Sequence, residues 1–401
     1  MSEPSKRLFG KDRSGRTRSI HESLRVGENS FNFLRIALAL IVLICHAGTV
    51  GGYGFDGVIN QKSAVDTIAV YGFFSLSGYL IASSADRNSV PRYLWSRFLR
   101  VLPGFWVSLV LTAFLFSLVG WFGLPHTSKH PGTLSAYFFL SNGPVQYVIN
   151  NFYLEIIQLR IGHYVWNGSL WTLYYEFGCY LLLALLCFLK LFRFRFTVVL
   201  AAALSWGTLL VITIDPALNR EFNVIHNWVT MNFLVFLPIF LVGSMIYLYR
   251  ELIPDSGLIA LASLLVFVAS FWMPFGAQVG PFRLSSVGAM APFLVYPVLW
   301  LGIHLPFEKV GSLNDYSYGV YIYAYPVERL LSVWGANSWG FVPYALLAIL
   351  GTIPFAVGSW FLIERRAMKK KHLSFQWLVP ANTEEATPIK NQRLGPGQEL
   401  R

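Results

Sequence analysis

The sequence predicts an all-α fold, a polytopic bundle of about ten transmembrane helices with both termini in the cytoplasm. Three observations predict it. The 401-residue chain is 55% hydrophobic and only 13% charged, where soluble domains carry about 25% charged residues. Its apolar residues gather into ten runs, near 30–48, 67–85, 98–120, 168–190, 196–214, 228–249, 257–273, 285–303, 314–333 and 340–363. A helix crossing a bilayer needs about 20 such residues at 1.5 Å each. Lys and Arg concentrate in alternate connections, and both ends of the chain are basic. An even number of spans puts both ends on one side, and the positive-inside rule makes that side the cytoplasm.

Residues 1–29 come first, polar and basic, with Lys6, Arg7, Lys11, Arg13, Arg16, Arg18 and Arg25. They hold no short apolar region followed by a small-residue cleavage site. They are expected to be a disordered cytoplasmic tail, and the first span a retained signal anchor. The transmembrane domain is expected over 30–366, and a basic to polar cytoplasmic tail over 367–401.

The first span carries Arg35 and His46 within an otherwise apolar run. Eleven steps of ~100° make about three turns, so both side chains leave one helix face. They lie roughly 16 Å apart along the axis. A charged group at membrane depth costs about 2.5–3.5 kcal/mol on insertion scales. His46 is the histidine placed deep in a span. Imidazole titrates near neutral pH and can serve as a general base on a hydroxyl or as a nucleophile. Arg35 supplies a fixed cation near the cytoplasmic surface, suited to a phosphate or a carbonyl. The structural alternative is a snorkelling arginine with a histidine bonded to a neighbouring carbonyl.

In the second span, Tyr71–Ile81 reads YGFFSLSGYLI, whose Ser75, Ser77 and Gly78 favour close helix packing. The third span opens on Arg97 and Arg100, three apart on one face. They fit a phosphate clamp, since arginine bonds phosphate oxygens in pairs, or ordinary basic anchoring. The long connection Trp121–Asn167 is expected on the outward face, with Leu134–Leu140 and Asn151–Leu159 lying in the interface as short helices. In the fourth span Glu176 is a buried carboxylate that needs a partner or a role. It can orient His46, accept a bond from an acceptor hydroxyl, or pair with an Arg or Tyr of another span. The ninth span is rich in tyrosine and interrupted by Pro326, consistent with a kinked helix lining a cavity or with aromatic anchoring at the interface.

Other classes are disfavoured. The formal charge of +11 reports basic cytoplasmic loops in a protein of this composition, and no nucleic-acid partner is expected. Cys45, Cys179 and Cys187 sit in apolar runs without zinc or disulfide spacing and read as small buried hydrophobes. No P-loop, nucleotide-binding glycine pattern or metal-ligand cluster is present, so no metal site is expected. His126 and His130 flank a proline-bounded loop and read as chance.

Taken together these motifs resemble the acyltransferase-3 family of integral membrane acyltransferases. The carriers are R-x10-H at Arg35 and His46, FFSLSGYLI, R-x-x-R at Arg97 and Arg100, and WTLYYE from Trp171 to Glu176. SYGVYI from Ser317 to Ile322 and I-E-R from Ile363 to Arg365 complete the set. The resemblance covers about residues 30–366.

The resemblance implies transfer of an acyl group, usually acetyl, from cytoplasmic acyl-CoA to a hydroxyl of a carbohydrate. The acceptor is an O-antigen, exopolysaccharide, capsule or lipooligosaccharide at the bacterial inner membrane. Acetyl-CoA is then the donor, with no permanently bound cofactor. His46, Arg35 and Glu176 are the expected catalytic set, and Arg97, Arg100 and Arg35 the expected donor-binding set. His46 acts either as base or as acyl carrier. One departure stands at Ala324, where many members carry a histidine before the proline. From another class, a transporter or flippase of lipid-linked glycans fits the same composition, and a non-catalytic membrane scaffold is the third alternative.

Overall fold

A computed structural model of the protein describes residues 18–24, 29–54, 58–60, 63–123, 143–152, 158–161, 164–222, 224–225 and 227–372. The chain divides into a unit Met1–Lys371 and a second unit His372–Arg401, of which only His372 is described. The expected interfacial segment Leu134–Leu140, the His126–His130 loop and most of both tails lie outside the described residues.

The first unit is a helix bundle. Its principal helices are α1 (Phe31–Val50), α2 (Val65–Asp86), α3 (Val90–Gly123), α4 (Trp171–Phe188), α5 (Arg195–Ile214), α6 (Trp228–Leu248), α7 (Gly257–Ala269), α8 (Ser286–His304), α9 (Ser317–Val333) and α10 (Phe341–Lys369). Eight of these are long and apolar enough to cross a membrane. The other two are α7, with 13 residues, and α9, with 17. Large apolar side chains such as Leu185, Leu204, Leu265 and Leu350 point out of the bundle. A soluble monomer rarely exposes apolar surface on this scale, whereas lipid covers it at no cost.

Helix α2 runs through the middle, against α1, α4, α6 and α8. Its closest neighbour is α6, because both helices present small residues at the crossing. A Cβ on Gly78 would stand 2.2 Å from the Phe240 carbonyl oxygen, and one on Gly243 would stand 2.8 Å from the Ser75 carbonyl oxygen. Ser244 Oγ donates to the Gly78 carbonyl at 3.0 Å. Small residues at a crossing are how helices gain contact in lipid, where solvent exclusion gives no net pull. On the other side α1 is held between α2, α9 and α10. Helix α9 passes through Pro326 without a break. Helices α3 and α10 each contain one wider turn, at Thr112–Phe116 and Trp360–Glu364.

Short hairpins connect the helices, Gly276–Val279 with Phe282–Ser285 being the longest. A short helix, Pro144–Asn151, occupies the long α3–α4 connection. At the chain start the structure differs from the disordered tail expected there. Ile20–Ser23 forms one helical turn, closed by reciprocal bonds between Ser19 and Glu22. Its backbone clips onto the α6–α7 connection: Ile20 N–H donates to the Ile253 carbonyl at 2.9 Å, and Asp255 N–H to the Arg18 carbonyl at 2.7 Å. Ile20 supplies the reason, since its side chain is buried among the helix ends.

Candidate functional site

Helix α1 positions two groups of polar residues. His46 lies near its C-terminal end and lines a small cavity of about 40 Å³, room for one or two water molecules. Asp66 and Thr67 reach this cavity from the first turn of α2, Ser169 and Thr172 from the start of α4, and Tyr321 from α9. Val42, Val70, Trp171 and Phe236 form the apolar walls. The hydroxyls are fixed by their neighbours. Tyr321 donates to the Ser169 carbonyl at 2.9 Å, so Thr172 Oγ1 donates to Tyr321 at 2.6 Å.

His46 Nε2 stands 3.8 Å from Asp66 Oδ2. The Tyr325 ring meets the imidazole edge-on, with centroids 5.3 Å apart. His46 Nδ1 is buried and has no hydrogen-bond partner. The bland alternative of a histidine satisfied by a neighbouring carbonyl therefore does not describe it.

The second group gathers at the Arg35 end of α1. Arg35 Nη1 bonds Asp315 Oδ2 at 3.0 Å. Arg100 bonds the same oxygen, and its other terminal nitrogen bonds Glu364 Oε2 at 3.2 Å. The backbone N–H of Ser317 donates to Asp315 Oδ1 at 3.2 Å, and Ser359 Oγ donates to Glu364 Oε1 at 2.9 Å. Arg100 also packs over the Tyr318 and Trp360 rings, at 5.8 Å from each centroid.

Arg97 differs. Its described hydrogen bond is a weak one to Ser96 Oγ at 3.3 Å. Among the described residues no ion pair joins it to a carboxylate, while the charges of Arg100 and Arg35 act on it. Nearby, burial and then the charges of Arg97, Arg92 and Arg87 push the Lys371 ammonium below its ordinary pKa. The cations gathered at this end of the bundle favour an anion.

Glu176 joins neither group. Its Oε1 accepts bonds from Ser77 Oγ at 2.7 Å and from the Tyr180 hydroxyl. The pairing differs from the expected Arg or Tyr of another span: the tyrosine lies one turn along α4 itself, and the partner from another span is a serine of α2. The carboxylate beside His46 is Asp66. Sequence spacing placed Asp66 at the end of an outward connection, and its signal was an acidic residue in the first turn of a span. Asp315 and Glu364 were missed as partners because their cations lie more than 200 positions away in the chain. The structure thus unites Arg35 with Arg100 and Asp315, and His46 with Asp66, while among the described residues the hydrogen bonds of the Glu176 carboxylate run to Ser77 and Tyr180.

Comparison with known proteins gives consistent matches. The acyltransferase-3 model, described as an acyltransferase domain, matches residues 28–362. An O-acetyl transferase of Shigella phage Sf6 is 29% identical over 352 residues, covering 85% of this chain and 96% of its own length. Nodulation protein 10 of Rhizobium leguminosarum bv. viciae is 25% identical over 374 residues, 85% of this chain and 93% of its own. No solved structure matches the chain. With the matched region running from ahead of α1 into α10, the protein belongs to the acyltransferase-3 family of acyltransferase domains.

Proposed function

We propose that this protein moves an acetyl group from cytoplasmic acetyl-CoA to a hydroxyl of a carbohydrate at the outer face of a bacterial inner membrane. One observation carries the proposal. A single helix bears a histidine in a hydroxyl-lined cavity and, roughly 16 Å along its axis, an arginine within a cation-rich cluster. The name of the phage relative, an O-acetyl transferase, supports the same chemistry.

In this scheme the nucleotide end of the donor rests at the cytoplasmic end of the bundle. Arg97 is its first phosphate partner, because Arg100 and Arg35 already hold Asp315 and Glu364. Those two arginines brace the α1, α3, α9 and α10 ends around the entry. The thioester reaches up between helices to His46. His46 takes the proton of the acceptor hydroxyl as the oxygen attacks the thioester carbonyl. The C–S bond then breaks, and the departing thiolate takes the proton from His46. Glu176 ties α4 to α2 between the two ends. Acetyl-CoA is consumed as the donor, and the CoA product returns to the cytoplasm without being exported.

The test compares a deletion strain with strains carrying the wild type or His46→Ala, reading acetyl signals on surface glycans. The wild type restores the signal and His46→Ala does not. Full restoration by His46→Ala, with both proteins equally abundant in the membrane, overturns the mechanism. A flippase of lipid-linked glycans has no use for acetyl-CoA. Slow acetyl-CoA cleavage by the purified wild type, lost in His46→Ala, separates the two classes.

A further inference from the structure

The proposed base has a neighbour with no role yet. Asp66 is anchored through one oxygen: Oδ1 accepts the Thr67 N–H at 2.6 Å and the Thr67 hydroxyl at 3.3 Å. It sits in the first turn of α2, where the helix dipole favours a negative charge. The other oxygen, Oδ2, faces His46 Nε2 at 3.8 Å across the cavity that both residues line. The distance exceeds a direct hydrogen bond. A small rotation of the carboxylate, or one bridging water, closes it, and catalytic contacts commonly tighten when substrate binds. Nδ1 is buried and unbonded, which leaves Nε2, the nitrogen facing Asp66, to take a proton.

The titratable groups around His46 are Asp66 from α2, Tyr321 and Tyr325 from α9, and Cys45 on its own helix. Glu328 of α9 acts on Cys45, and Tyr344 of α10 donates to the Glu328 backbone carbonyl. Among these, Asp66 is the charge that acts on His46.

We propose that Asp66 is the positioning residue of His46: facing Nε2 across the cavity, it stabilises the imidazolium formed when that nitrogen takes the acceptor proton. This rests on His46 acting as the base. Asp66 stays ionised throughout; the proton moves from the acceptor oxygen to His46 and on to the CoA sulfur. Asp66 thereby replaces Glu176 as the acidic partner of the histidine.

The experiment uses the full-length protein in proteoliposomes with acetyl-CoA as probe, and histidine-labelled protein for magnetic resonance. The His46 signals are assigned by their loss in His46→Gln. In Asp66→Asn the His46 titration midpoint moves to lower pH by about one unit or more, as expected on removing a facing carboxylate. The kcat for acetyl-CoA cleavage falls at least about tenfold, while KM changes little. Asp66→Glu recovers part of both. A carboxylate that only packs in the fold, without facing the imidazole, would leave the midpoint unmoved. A midpoint unchanged in Asp66→Asn overturns the positioning role, whatever the activity. So does an unchanged kcat. If the wild type cleaves no acetyl-CoA and acetylates no glycan, the acyltransfer scheme fails instead, and the titration still decides whether Asp66 and His46 are paired.

Discussion

Two arginines one helical turn apart, Arg97 and Arg100, show how little residue type says about role. Both fit an anion clamp by spacing, yet Arg100 is already held between Asp315 and Glu364. Arg97→Ala is therefore expected to weaken acetyl-CoA binding about tenfold or more, since a charge-assisted hydrogen bond contributes ~1.5–3 kcal/mol. Calorimetric titration of the purified protein measures it; unchanged affinity would assign Arg97 to anchoring. Arg100→Ala acts on stability. It strands two carboxylates, Glu364 being 1% exposed, and breaking a buried pair costs about 3–5 kcal/mol. Thermal unfolding in detergent should fall steeply for Arg100→Ala and stay level for Arg97→Ala. The ionisable residues were legible because a charge in an apolar run stands out. Their partners were not, because ion pairing joins residues on helices far apart in the sequence.

At the level of helices, Ser75, Ser77 and Gly78 announced close packing without saying against what. The structure answers with α6 and with a second use for Ser77, its bond to Glu176. The Gly78 crossing leaves no space for a methyl group. Gly78→Ala should destabilise the bundle by about 1–3 kcal/mol, the usual range for overpacking. Gly207→Ala is the matched control, because nothing lies within 4 Å of its added Cβ. Equal unfolding temperatures for the two variants would refute the tight crossing. Helix α7 shows the opposite limit. The apolar run continues through Phe271, Trp272 and Phe275, but the helix stops at Ala269 ahead of Pro274 and the Gly276–Ser285 hairpin. Hydropathy counts apolar residues and is blind to the backbone they occupy. Thirteen helical residues span only about 20 Å, so α7 reaches part of the way across a bilayer core.

For the whole molecule, all ten apolar runs became helices, and composition was enough to recognise them. Orientation rests on the basic loops, and it yields a direct check. Ser338, in the exposed α9–α10 connection, should face outward, and Leu313, in the α8–α9 connection, the cytoplasm. In intact spheroplasts an impermeant maleimide should label Ser338→Cys and should label Leu313→Cys only after permeabilisation. The reverse pattern would invert the bundle and place the arginine cluster on the wrong side for CoA. Least legible was the convergence of α1, α2, α4 and α9 on one cavity. That depends on long-range packing that no local pattern records.

The modest size of that cavity bears on leakage. A thioester delivered beside an activating histidine reacts with whichever hydroxyl is nearest, and water competes with sugar. On the proposed mechanism, space for one or two waters, walled by Val42, Val70, Trp171 and Phe236, keeps the competitor scarce. Val70→Ala should widen it and raise futile acetyl-CoA hydrolysis relative to glycan acetylation, read as free CoA released per acetyl group transferred. Fidelity in this enzyme would then reside in what the apolar walls keep out as much as in what the polar groups bind.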